Sequence, residues 1–142
     1  MPANALHLVA AALALVLLTF AVGISMFVVR VREVRRVGLR AVVDSRAMAS
    51  QLQDVRAADN FRNLFEAPVL FYALIAMALA VRLWPSWLVD CAWIYVALRA
   101  LHSLIHCTYN NVMHRLAAFA TSLALLVVMW IAFFMSLLAI PG

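Results

Sequence analysis

With 142 residues, 68% of them hydrophobic and only 12% charged, the chain is far from the composition of a soluble domain, about half apolar and a quarter charged. Three glycines and four prolines are too few for the many turns of a barrel, so helices are the expected way to satisfy the backbone in lipid. Every basic residue is an arginine, and much of the net charge of +5 comes from Arg30, Arg32, Arg35, Arg36, Arg40, Arg46 and Arg56. Between apolar runs such a stretch marks topology and meets anionic headgroups, which excludes nucleic acid as the expected partner.

Four apolar runs are each near the length of about 20 residues that crosses a bilayer. The first covers about 6–29. No positively charged segment precedes it and it is too long for a signal h-region, so it is expected to be retained as a span. The polar connection 30–55 follows, in which Val31, Val34, Val37 and Leu39 alternate with arginines, as in an amphipathic helix lying at the membrane surface.

The second span, about 58–83, opens on Asp59-Asn60-Phe61-Arg62-Asn63-Leu64-Phe65-Glu66-Ala67-Pro68. Asp59, Arg62, Asn63 and Glu66 fall within an arc of roughly 100° on a helix. Ionisable groups in hydrocarbon are costly unless paired or wetted, which makes them candidates for function. An interhelical salt bridge that locks a bundle together is the structural alternative. Pro68 predicts a kink, because its ring clashes with the Leu64 carbonyl.

The turn Arg82-Leu83-Trp84-Pro85-Ser86-Trp87 has the aromatic chemistry of a membrane interface. The third span, about 87–107, carries Arg99, His102, His106 and, just past its end, Tyr109, all within an arc of about 80°. His102 and His106 have the spacing to ligate a metal or flank a haem. No third ligand stands at a suitable spacing, so a hydrogen-bonding pair is the favoured reading. Cys91 and Cys107 lie about 24 Å apart along the same helix, too far to bridge, and are expected to be buried apolar thiols. A short link from Tyr109 to Arg115 leads to the fourth span, about 116–140.

The positive-inside rule places the arginine-rich connection in the cytoplasm, with both termini on the other side. The Asp59–Glu66 cluster, the Tyr109 end of the third span and Arg115 then converge at the cytoplasmic face.

The run Arg62-Asn63-x-x-Glu66 entering a span, followed by Arg99-x-x-His102, Tyr109 and Arg115, resembles the MAPEG family, the membrane-associated proteins in eicosanoid and glutathione metabolism. The form Asn-Phe-Arg-Asn-Leu-Phe-Glu-x-Pro is similar to the bacterial branch, and an inner-membrane location goes with it. The resemblance covers nearly the whole chain. It implies an all-α, integral membrane four-helix bundle assembled as a homotrimer, with glutathione as co-substrate held between neighbouring subunits near the cytoplasmic face. Carried over by position, Arg30, Arg62, Asn63, Glu66, Arg99, His102, His106 and Tyr109 would bind glutathione, and Arg115 would stabilise its thiolate. Two positions depart from the prostaglandin synthase pattern within the family, Asp59 at an arginine position and Leu116 at a serine, and His106 stands where the family often has a tyrosine.

The chemistry is consistent with those roles. Glutathione has two carboxylates and one ammonium, which an arginine cluster with a single carboxylate complements. A guanidinium favours the thiolate without being able to accept its proton. The expected function is therefore a glutathione-dependent transferase or peroxidase acting on lipophilic electrophiles. Two alternatives remain: a non-catalytic membrane module that presents lipid or packs beside another membrane protein, and a transporter or proton relay built on the Glu66 and His102 stripes.

Overall fold

The structure, a computed structural model, describes residues 1–37 and 56–139. Residues 38–55, most of the arginine-rich connection, and residues 140–142 lie outside the described residues. Four helices make up the fold: α1 Ala3–Val37, α2 Arg56–Ala80, α3 Ser86–Cys107 and α4 Val112–Leu138. All four are long and apolar enough to cross a membrane.

The helix α1 does not stop at Val29. Its 35 residues reach about 52 Å, well beyond the ~30 Å hydrocarbon core. Arg30 to Val37 are helical, as the spacing of their valines predicts, but they prolong α1 instead of forming a separate helix at the membrane surface, because arginine is a good helix former and nothing in the run breaks the helix. At the other end, α4 begins at Val112, ahead of the span expected from residue 116. Asn111 is the reason: its side-chain oxygen accepts from the backbone N–H groups of Met113 at 3.0 Å and His114 at 3.2 Å, a standard N-cap. The helix α2 runs through Pro68 without ending.

The amide of Asn4 donates to the Trp84 carbonyl at 3.1 Å, so the start of α1 lies beside the α2–α3 turn. The turn itself closes with Leu83 N–H bonded to the Ala78 carbonyl at 2.9 Å and with Arg82 at φ 58°. That is the left-handed C-terminal motif in which glycine is the usual residue. Arg82→Gly should therefore raise stability by about 1 kcal/mol, read as a higher thermal midpoint in detergent.

Among the described residues, α1 packs on α2 and α3, α4 packs on α3 and α2, and α1 and α4 do not meet. The core is built from Leu8, Leu15, Phe71, Leu74, Tyr95, Leu126, Met129 and Phe133. The rings of Phe71 and Tyr95 stack there at 4.7 Å. Gly23 lets α1 approach α2 closely, since a Cβ at this position would stand 3.0 Å from the Phe61 ring. The outer faces are apolar too. Leu13, Leu17, Phe20, Ile24 and Phe27 of α1 and Val127, Val128, Ile131 and Phe134 of α4 are all exposed, as suits surfaces that meet lipid tails. The cysteines depart from expectation: both are free, Cys91 is half-buried, and Cys107 is exposed where the end of α3 turns out of the core.

Candidate functional site

The polar groups gather at one end of the bundle, where α3 hands over to α4. Asn110 takes a left-handed backbone conformation, φ 48°, one that asparagine tolerates, and its N–H bonds the Ile105 carbonyl at 2.8 Å. The reversal folds the first turn of α4 back over the last turns of α3. Arg115 is thereby brought over His106 and His102.

Three contacts hold Arg115. Its Nη1 donates to His106 Nε2 at 3.1 Å and to Asn110 Oδ1 at 3.0 Å, while its carbonyl meets His102 Nδ1 at 3.0 Å. These contacts also fix the imidazoles. A guanidinium only donates and a carbonyl only accepts, so His106 presents its Nε2 lone pair and His102 carries its proton on Nδ1. Both histidines are buried, and their rings lie edge to face at 5.8 Å. They are a hydrogen-bonding element that clamps an arginine.

Arg99 is fully buried on α3. Its Nη2 donates to the Asn63 backbone carbonyl at 2.5 Å, and its guanidinium lies 5.6 Å from the centre of the Phe119 ring, within cation–π range. Its Nε and Nη1 are buried without a hydrogen-bond partner, as is His102 Nε2. A groove of about 200 Å³ opens beside this cluster, lined by Asn63, His102, Val112, Arg115, Leu116 and Phe119. Its polar lining contains no carboxylate, so its chemistry is that of an anion receptor.

The other expected residues lie elsewhere on the chain. Arg62 and Glu66 are exposed on α2, as is Asp59, and they do not line the groove; only Asn63 of that cluster turns toward it. Tyr109 is 61% exposed and its hydroxyl pairs with His114 Nδ1 at 3.2 Å, outside the groove. Arg30 is half-buried on α1. With Gly23 facing Phe61, Arg30 lies about 10 Å farther along that helix.

Sequence reasoning missed Asn60, Ser103 and Asn110. Asn60 is fully buried; it accepts from the Ser103 hydroxyl at 3.2 Å and donates to Cys107 Sγ at 3.4 Å. The three form a polar tie between α2 and α3. The signal for Asn60 was the polar run itself, in which it stands one turn before Asn63.

The family model described as the MAPEG family matches residues 8–135. The chain belongs to the MAPEG family. This membership, with four membrane-spanning helices, makes it an integral membrane protein of the family of glutathione and eicosanoid metabolism. No significant match was found among curated proteins or solved structures. Within this MAPEG chain, Arg115, His102, His106, Asn63 and Arg99 come together at one end of the bundle, whereas Arg62, Glu66 and Tyr109 are exposed and do not line the groove, Glu66 lying close enough to Arg99 to attract its charge.

Proposed function

We propose that this MAPEG protein binds glutathione at the polar end of the bundle and stabilises its thiolate for attack on a lipophilic electrophile. The observation that carries the reading is the clamped guanidinium of Arg115, held by His106 and Asn110 at the edge of a groove whose polar groups suit an anion. The bound thiol loses its proton to water, and Arg115, which cannot accept it, stabilises the anion left behind. The sulfur then forms a bond to the electrophilic carbon of a transferase substrate, which either takes a proton from water after addition or releases its leaving group as an anion. With a hydroperoxide the sulfur attacks the terminal oxygen, the O–O bond breaks and the alkoxide takes a proton from water. A second glutathione then reduces the sulfenic acid, giving water and glutathione disulfide.

A groove of about 200 Å³ is smaller than the ~300 Å³ at which ligand pockets usually begin. A second copy of the chain is the natural completion. The exposed face of α2 with Arg62 and Glu66 would close over the groove of its neighbour in a homotrimer, and Arg30 and Tyr109 would reach glutathione from the rim. The electrophile has a path from the bilayer in the apolar groove of about 350 Å³ between α1 and α2, which ends at Phe61 and Phe65 beside Arg62. The arginine-rich side faces the cytoplasm of a bacterial inner membrane, where the positive-inside rule puts it.

One observation favours the second reading, a non-catalytic module. Asp59, Arg62 and Glu66 form an exposed charged patch at the membrane edge, which is also suited to docking another membrane protein.

Glutathione at millimolar concentration should raise the thermal midpoint of the detergent-purified protein, and Arg62→Ala or Glu66→Ala should remove that rise. Absence of any rise in the wild type defeats the enzyme reading. Co-purification of a stoichiometric membrane partner, with no glutathione effect, supports the module in its place.

A further inference from the structure

A groove larger than the site groove or the α1–α2 groove lies on the opposite side of α3, independent of the proposed glutathione site. It is an open groove of about 490 Å³ between α1 and α3, with Leu18, Val22, Leu101 and Leu104 on its walls and Ser25 and Cys107 at its polar end. The site groove touches α3 at His102, and helical geometry turns His102 about 160° away from Leu104. In the assembly proposed above, in which copies meet through α2 and α4, the α1–α3 groove would face lipid.

What distinguishes this groove is the continuation of α1. The wall residues Leu18, Val22 and Ser25 form a stripe, and Arg32 and Arg36 prolong it. Arg32 lies seven residues past Ser25, about 20° off its direction, and Arg36 lies about five full turns past Leu18 on the same line. Because α1 runs unbroken to Val37, those two arginines keep their register with the groove. Arg32 stands about 5 Å beyond Val29, the last residue of the apolar run, at the depth of the headgroups. The helical tail carries Arg30, Arg32, Arg35 and Arg36 against the single Glu33. Arg32 is exposed and long enough to reach back toward the groove mouth.

We infer that this groove is a binding site for an anionic phospholipid, with an acyl chain lying between α1 and α3 and the phosphate seated on Arg32 and Arg36. The apolar walls suit the chain and the arginines suit a negative headgroup, so the occupant is a membrane lipid of net negative charge.

The test uses the full chain in a mild uncharged detergent with phosphatidylglycerol or phosphatidylcholine of the same acyl chains, read by native mass spectrometry and thermal midpoint. Phosphatidylglycerol should be retained at one molecule per chain and raise the midpoint, and phosphatidylcholine should do neither. Arg32→Gln should weaken retention about fivefold, and Arg35→Gln, about 60° round the helix from Arg32 and about 100° from Arg36, should leave it unchanged. Ala21→Trp, which fills the groove, should abolish it; if that variant does not fold, the contrast between Arg32→Gln and Arg35→Gln decides. Equal effects of the two lipids overturn the inference, as does equal loss in the two arginine variants. Retention that survives a folded Ala21→Trp also overturns it, since the arginines would then bind headgroups without the groove.

Discussion

Replacing Arg115 with alanine should remove the ultraviolet thiolate band of bound glutathione and lower turnover with a lipophilic electrophile by about 10²–10³-fold, the scale of one lost anion-stabilising donor. The expectation follows from how the side chain is held. Its Nη1 bonds both His106 Nε2 and Asn110 Oδ1, so the guanidinium is set before the ligand arrives and costs little to reorganise. With the cation gone, the thiol returns toward its ordinary pKa of about 8.5 and is mostly protonated at neutral pH. Arg115→Lys should recover only part of the loss, because an ammonium keeps the charge but cannot reproduce the planar fork. The carbonyl that meets His102 belongs to the backbone and survives either substitution, so folding should be preserved. A thiolate band that persists in a folded Arg115→Ala protein would remove Arg115 from the chemistry.

Much of this arrangement was legible in the sequence, for identifiable reasons. Four apolar runs and a lack of turn-forming residues specify a helical membrane bundle whatever the packing. The polar run after Asp59 and the Arg99–His102–His106 spacing locate the polar end. Helical periodicity also gives the angles between residues on one helix, but not how that helix is rotated in the bundle. Arg62, Asn63 and Glu66 share an arc, yet Asn63 lines the groove while the other two face outward. That choice is made by α3, whose Arg99 takes the Asn63 carbonyl. Asn60 was hidden for the same reason, since its partners Ser103 and Cys107 are far away in the chain. Charge locates the end of the first span but not the end of its helix, since arginine ends a span without ending a helix, and α1 runs on to Val37.

The second large effect concerns Arg99, and it separates structure from function. Arg99 is fully buried, yet its side chain makes only one hydrogen bond, to the Asn63 carbonyl, and leaves Nε and Nη1 without partners. Burying a charge this poorly satisfied is expensive. An apolar side chain of similar length should therefore fold at least as well: Arg99→Met is expected to keep or raise the thermal midpoint, since the buried charge is removed and the carboxylate that attracts it, Glu66, is exposed and stays hydrated. If the charge is kept for an anion, the same variant should bind glutathione at least about tenfold more weakly, the scale of one charge-assisted hydrogen bond. Phe119 shields the guanidinium on one side, so Arg99 acts from behind the groove through charge and through the position of Asn63. Thermal midpoints with and without glutathione, together with calorimetric affinity, check both halves at once. Marked destabilisation with undiminished glutathione affinity would make Arg99 a structural tie between α2 and α3. A stable protein that has lost the ligand identifies a residue retained for binding at the expense of stability.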